Sequence, residues 1–317
     1  MKKLYITIFL AIFILPLSAK SNFLGLTFTG QPEKFLYESY LADPLAVNTE
    51  LTYRNYEIEE IHPNEVGEES HIDAKIGTRF NFWRIAPENH PDLGIEAEIG
   101  AAVCTFMNAN GTDLLSTDGI YYYTIIFKPN YFSTFKWGHH HICSHQGDQL
   151  DTNGDGNQYI DFDINAILNE SNYVRDDYVL SADILPLYFL KNYNNNLAKA
   201  IKIYGDFYYY NPAESLLGGD SNSVVEHAYI WYQYGAELKL PILDNKFGTL
   251  YMAGQISKWQ QAAYTSNYTY QIGIILPSTK KTQRMKFAYQ FYDGQSLINN
   301  YQNKRARFSG FVFTIDK

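Results

Sequence analysis

Arg284-Met285-Lys286-Phe287-Ala288-Tyr289-Gln290-Phe291 is the stretch that decides the fold. Met285, Phe287, Tyr289 and Phe291 alternate with Arg284, Lys286 and Gln290, a period of two that a β-strand meets by sending successive side chains to opposite faces. The same split recurs upstream. In 72–84, Ile72, Ala74, Ile76, Phe80 and Phe82 oppose Asp73, Lys75, Arg79 and Asn81. In 173–184, Val174, Tyr178, Leu180, Ala182 and Ile184 oppose Arg175, Asp177, Ser181 and Asp183, and Tyr268, Tyr270, Ile272, Ile274 and Leu276 oppose Thr269, Gln271 and Gly273. About twelve such runs follow residue 45, near 46–57, 72–85, 93–107, 119–127, 131–143, 173–186, 198–210, 224–240, 247–258, 265–276, 284–293 and 306–315. Helical periodicity is almost absent.

Two all-β architectures accept this pattern. A soluble sandwich buries the apolar face and leaves the charges in water. A membrane barrel inverts that arrangement, with apolar residues on lipid and a polar lumen. The runs are about ten to fifteen residues long, against about five or six for soluble strands. Tyrosines cluster at run ends, as in Tyr121-Tyr122-Tyr123 and Tyr208-Tyr209-Tyr210. Connections near 86–92, 128–130, 241–246 and 277–283 are short, and those near 58–71, 108–118, 144–172, 211–223 and 294–305 are longer; 187–197 and 259–264 break the alternation. The closing Gly310-x-x-Phe313-x-Ile315 resembles the aromatic- and Gly-containing signal that ends outer-membrane barrels, with Ile315 and two further residues in place of a terminal phenylalanine. The expectation is an antiparallel transmembrane β-barrel of about twelve strands over residues 45–317, preceded by a periplasmic or plug-like segment at 20–44. With both chain ends in the periplasm, the longer connections fall on the extracellular side. Inward-facing charges of both signs, among them Asp73, Lys75, Arg79, Glu98, Arg175 and Asp183, are expected to pair across a narrow lumen, which disfavours a wide diffusion pore and leaves a narrow channel open.

The chain has 317 residues, with 28 Tyr and 20 Phe, 46% hydrophobic and 19% charged residues, and a formal net charge of −9. The aromatic loading suits interfacial girdles. The negative balance, with no basic stripe, argues against a nucleic-acid partner. Lys2 and Lys3, the apolar run Leu4 to Leu17 and the small pair Ser18-Ala19 read as a signal peptide over 1–19. That run is too short for a membrane helix, which needs about 20 residues. Location in the bacterial outer membrane follows, with the periplasm as the alternative, and with outer-membrane lipids and the barrel assembly machinery as partners. Cys104 and Cys143 are too few for a disulfide framework and leave one bridge or two separate thiols open.

The chemically dense stretch is Trp137-Gly138-His139-His140-His141-Ile142-Cys143-Ser144-His145-Gln146-Gly147-Asp148, which holds four of the chain's eight histidines. It ends a strand at the extracellular rim. Hydrolysis needs a nucleophile, a base beside it and a group that orients the base. Cys143 or Ser144 is the candidate nucleophile, His141 or His145 the base, and Asp148 or Asp177 the orienting group, with Arg175 close by in the reading. On an extended strand His141 and Cys143 share a face, whereas Ser144 and His145 need a turn to meet. The bland alternative is a hydrogen-bonded rim tied to the charges of 173–183. For metals, Asp151-Thr-Asn153-Gly-Asp155-Gly156 matches the start of a calcium loop, with Asp161 or Asp163 as substitute for the missing late glutamate; a solvated turn is the competing reading. Zinc would draw on His139, His141 and His145, without a standard spacing.

Leu41-Ala42-Asp43-Pro44, Asp113-Leu114-Leu115-Ser116-Thr117-Asp118-Gly119, His141-x-x-Ser144-His145-x-Gly147-Asp148, Asn172-Tyr173-x-Arg175-Asp176 and Tyr292-Asp293-Gly294-Gln295-Ser296 together resemble DUF1207, a family of bacterial envelope proteins defined as a domain of unknown function. The resemblance implies an envelope protein and carries no activity. The family pattern has serine where Cys143 stands and glutamate at Gln149. A fainter similarity is to the outer-membrane phospholipase A family, twelve-stranded barrels, through Tyr292-Asp-Gly294-Gln-Ser296-Leu297-Ile298-x-x-Tyr301 and Arg307. That family's His-x-Ser-Asn-Gly motif has His141-Ile142-Cys143-Ser144-His145 as its counterpart, with cysteine in the serine position and no Asn-Gly. The similarity implies a surface lipid or ester hydrolase. A structural or binding barrel is the third class.

Overall fold

The computed structural model describes residues 20–59, 70–109, 114–146, 172–190, 195–210, 229–242, 246–278, 283–299 and 304–316. Twelve strands form a closed antiparallel barrel. They are β3 (Thr49–Glu59), β4 (Ser70–Pro87), β5 (Gly94–Asn108), β6 (Leu114–Asn130), β7 (Ser133–Gln146), β8 (Asn172–Ile184), β9 (Ile201–Tyr210), β10 (Ile230–Pro241), β11 (Thr249–Trp259), β12 (Ser266–Leu276), β13 (Arg284–Gln295) and β14 (Arg305–Asp316). Each pairs with its neighbour in sequence, and β14 closes on β3 from Ile315↔Thr49 to Ala306↔Glu59. All of them coincide with runs read from the period-two pattern. Two short strands escape that reading, β1 (Lys20–Phe23) and β2 (Leu26–Gly30), a hairpin added to β4 at Leu26↔Pro87 to Gly30↔Trp83. Among the described residues no helix is long and apolar enough to cross a membrane; strands do the crossing in a barrel of this type.

The wall is apolar outside and polar inside. Ile76, Trp137 and Leu180 are 75%, 60% and 56% exposed on the outer surface, while Asp73, Lys75, Arg79, Glu96, Glu98, Asp177 and Lys202 are buried inside. A soluble sandwich would have the opposite polarity. The interior charges pair: Arg54 with Asp73 at 2.6 Å, Arg79 with Glu98 at 3.5 Å, Arg84 Nε with Glu96 at 2.8 Å and Arg284 with Asp316 at 2.6 Å.

Those charges also serve a second purpose. Residues 31–48 leave β2, pass through the lumen and return to start β3, and Leu36, Tyr37, Tyr40, Leu41, Ala42 and Val47 are buried there. A segment outside the ladder must find other partners for its backbone groups. Glu96 accepts from Leu36 N at 3.0 Å and Glu237 from Leu41 N at 2.7 Å. Arg79 donates to Tyr37 O at 3.1 Å, Arg284 to Ser39 O at 2.9 Å and Lys75 to Pro44 O at 2.9 Å, and Lys286 donates to Leu41 O. Tyr40 stacks on Tyr204 with centroids 3.6 Å apart and donates to Asp206 at 3.1 Å. Asp43 accepts from Gln233 at 3.2 Å. The carbonyl of Asn48 crosses so close to Gly77 that a Cβ there would stand 2.8 Å from it. The lumen at this level is filled with side chains and this strap.

Candidate active site on the outer wall

β7 carries the dense stretch toward the rim opposite the chain ends, and its period sorts the stretch into two sites. Thr134, His140, Ile142 and Ser144 are buried toward the lumen. Phe135, Trp137, His139, His141 and Cys143 line the outer face, with Trp137 among the most exposed side chains of the barrel. The register sets His141 opposite Asp176 and Cys143 opposite Val174 on β8, and opposite Tyr121 and Gly119 on β6. Directly opposed residues of an antiparallel pair point the same way. Asp176 therefore joins the histidines on the outer face, between Val174 and Tyr178.

The resulting geometry is a line of three groups. His141 Nδ1 lies 2.8 Å from Asp176 Oδ1, and His139 Nε2 lies 3.3 Å from the same oxygen. With Nδ1 donating to the carboxylate, a neutral His141 ring keeps Nε2 as its acceptor. Cys143 follows His141 by two residues on the same face of β7, so the thiol and the imidazole are neighbours on the outer wall. Tyr121 stacks on the His141 ring at 4.4 Å and Tyr123 on the His139 ring at 5.0 Å, so both imidazoles are held face to face with tyrosines of β6. Cys143 is a free, partly exposed cysteine. Beside it, a Cβ placed on Gly119 would stand 2.8 Å from its sulfur and meet no other atom within 4 Å. The glycine leaves a notch next to Sγ.

The remaining expected residues fall elsewhere. Ser144 points into the lumen and donates to Asp118, which also accepts from Ser116 at 3.1 Å and from Asn299 Nδ2 at 2.6 Å. This cluster ties the rim to the folded-in segment Leu297–Asn299. Arg175 is also on the lumen side, with Nε 2.8 Å from Asp177 and Nη1 3.1 Å from Gln261. Both residues lie on the lumen side of the wall, and His141 on its outer face. His145 is exposed on the same face as Cys143. Asp177 pairs inward with Arg175 and receives the Trp231 indole at 2.9 Å. Cys104 is free and buried, and the two cysteines do not pair. Asp148 and the calcium-loop residues Asp151, Asn153, Asp155 and Asp161 lie outside the described residues. Among the described residues no group of three or more His, Cys, Asp or Glu side chains is arranged to hold a metal ion, His139, His141 and His145 included.

The carboxylate that meets both histidines is Asp176, which the sequence showed only as part of the Asn172–Asp176 motif. Its signal was in the parity: it is the charged residue on the apolar face of Val174, Tyr178, Leu180, Ala182 and Ile184.

The fold is that of outer-membrane barrels. The family described as a protein of unknown function, DUF1207, matches residues 15–163, a span that takes in the Leu41–Pro44, Asp113–Gly119 and His141–Asp148 motifs. No curated protein matches the chain in sequence. Outer membrane phospholipase A from Escherichia coli is similar in structure with a TM-score of 0.50 and 11% identity, over 85% of this chain and 93% of that one. The Salmonella typhi outer membrane phospholipase, a dimer with bound calcium, gives 0.49 and 13% over 89% and 95%. KdgM porin gives 0.38 and 7% over 84% and 98%. At these identities the likeness is one of fold.

Proposed function

We propose that this is an outer-membrane acyl-ester hydrolase that works on membrane lipids from the outside of its own barrel, with Cys143 as nucleophile, His141 as base and Asp176 as the residue that orients the base. The observation that carries this reading is the 2.8 Å contact of His141 Nδ1 with Asp176 on the face that also carries the Cys143 thiol. Nucleophile, base and orienting acid within hydrogen-bond reach of one another are the signature of covalent catalysis. Tyr178, Trp137 and Leu180, which continue the same outer face along β7 and β8, favour a substrate that arrives sideways from the bilayer over one that arrives through the lumen.

In the first step the Cys143 proton passes to His141 Nε2 as sulfur attacks the ester carbonyl. The carbon–oxygen bond to the lysolipid then breaks, and His141 returns the proton to the departing alkoxide. Water attacks the thioester in the second step, gives its proton to His141 and releases fatty acid, and the thiol is restored. Asp176 stabilises the imidazolium formed in each step.

The test is release of fatty acid from phospholipid vesicles by the purified full chain. Cys143→Ala and His141→Ala are expected to lose roughly 10²–10⁴-fold in rate. Ser144→Ala, on the lumen side, is expected to retain activity. Equal rates for wild type, Cys143→Ala and His141→Ala would leave the cluster as a hydrogen-bonded rim and sink the hydrolase.

A further inference from the structure

We infer that the acyl group on Cys143 is transferred to a primary amine on a membrane lipid, so that the protein makes an amide and releases free fatty acid only as a side product. This rests on the reading of the preceding section and goes one step beyond it.

The first argument is the identity of the nucleophilic atom. A serine would form an oxoester; Cys143 forms a thioester. When an amine attacks an acyl-enzyme, the tetrahedral adduct can expel either the amine or the enzyme's own leaving group. A thiol with an ordinary pKa of about 8.5 leaves far more readily than an alcohol, so the adduct collapses forward to the amide. Water gains much less from the same exchange of oxygen for sulfur. A cysteine acyl-enzyme therefore discriminates for amines where a serine acyl-enzyme hydrolyses.

The second argument is what can reach the sulfur. Cys143 is only partly exposed and His141 is buried between Tyr121 and Asp176. Further down the same outer face, six residues from Cys143 along β7, Trp137 and its partner Leu180 are exposed. The acceptors concentrated there are those that lie in the bilayer interface.

The step balances without an added oxidant or reductant. The amine nitrogen attacks the thioester carbonyl, its proton goes to His141 Nε2, the carbon–sulfur bond breaks, and the proton passes to the Cys143 thiolate. Amide and free thiol are the products.

The experiment uses the full chain in vesicles of acyl-labelled phosphatidylcholine mixed with either phosphatidylethanolamine, which carries the amine, or phosphatidylglycerol, which carries only hydroxyls. Products are read by mass spectrometry. Wild type is expected to form N-acylated phosphatidylethanolamine in the first vesicles. In the second, only slow hydrolysis to free fatty acid is expected, with the acyl group accumulating on Cys143 as an adduct that neutral hydroxylamine removes. Cys143→Ser is expected to shift the ratio of amide to free fatty acid toward the acid by at least about tenfold. Free fatty acid as the sole product in both vesicles, with no accumulated adduct, overturns transfer while the hydrolase reading stands. Amide formed equally by Cys143→Ala overturns it as well. Neither product nor adduct removes both readings together.

Discussion

Asp176 is one carboxylate on a face otherwise suited to lipid, and such a residue is costly there unless it is partnered. Its partners are His141 and His139. Asn at this position keeps an oxygen for the Nδ1 proton and loses the charge; Ala loses both. Asp176→Asn is therefore expected to lower the vesicle activity by at least about tenfold and Asp176→Ala by more, in steady-state assays of the same preparation. Gly119→Ala places a methyl group against Sγ. It should slow alkylation of Cys143 by iodoacetamide and reduce acyl transfer, with the barrel's resistance to SDS unchanged; undiminished alkylation would show that the notch does not serve the sulfur. The pairing of His141 with Cys143 was legible from the strand period alone, because residues two apart share a face. Asp176 was hidden by its neighbours. It lies in the motif Arg175-Asp176-Asp177, where three charges in a row draw attention to composition, and only the parity separates the outward residue from the two inward ones.

At the scale of elements, the barrel strands were readable because lipid and lumen impose opposite demands at every second position. The β1–β2 hairpin was not, because nothing in its own period calls for it. It exists because β4, with 18 residues, outruns β3, with 11, and offers an open edge at Trp83–Pro87. The inner strap depends on the lumen charges in the same way, and its own short sequence has no recognisable period. Glu38 on that strap faces Lys239 at 3.3 Å, Lys202 at 3.7 Å and Arg284 at 3.8 Å. Attraction to Lys239, then Lys202, holds its carboxyl well below the usual range. A lowered carboxyl pKa stabilises the folded state above the unfolded value, and that contribution is lost as pH falls through the folded value. Glu38 is largely exposed, so the effect is expected to be small. Glu38→Gln should unfold slightly earlier than wild type at neutral pH, and the difference should start to shrink below about pH 4 and close once pH falls below the lowered folded value. A gap that persists in acid, measured by the temperature of conversion to the slow-migrating form on SDS gels, would rule out charge as its cause.

For the whole molecule, the wall says membrane and the lumen says closed. Full-length protein in planar bilayers is expected to carry little current, because segment 31–48 and its ion pairs occupy the interior. Large, steady conductance steps in wild type would refute a filled lumen. The catalytic groups proposed here face the opposite side of the wall, so the lumen and the chemistry are independent. The strap has a further consequence. It is sewn to the wall at both ends, to β4 through β2 and directly into β3, and β3 is the strand on which β14 closes. A core with one loose end could be drawn out like a cork. This one is tethered to the wall at both ends, so a pull on the chain at either side loads a seam of strand pairing before it loads the filling.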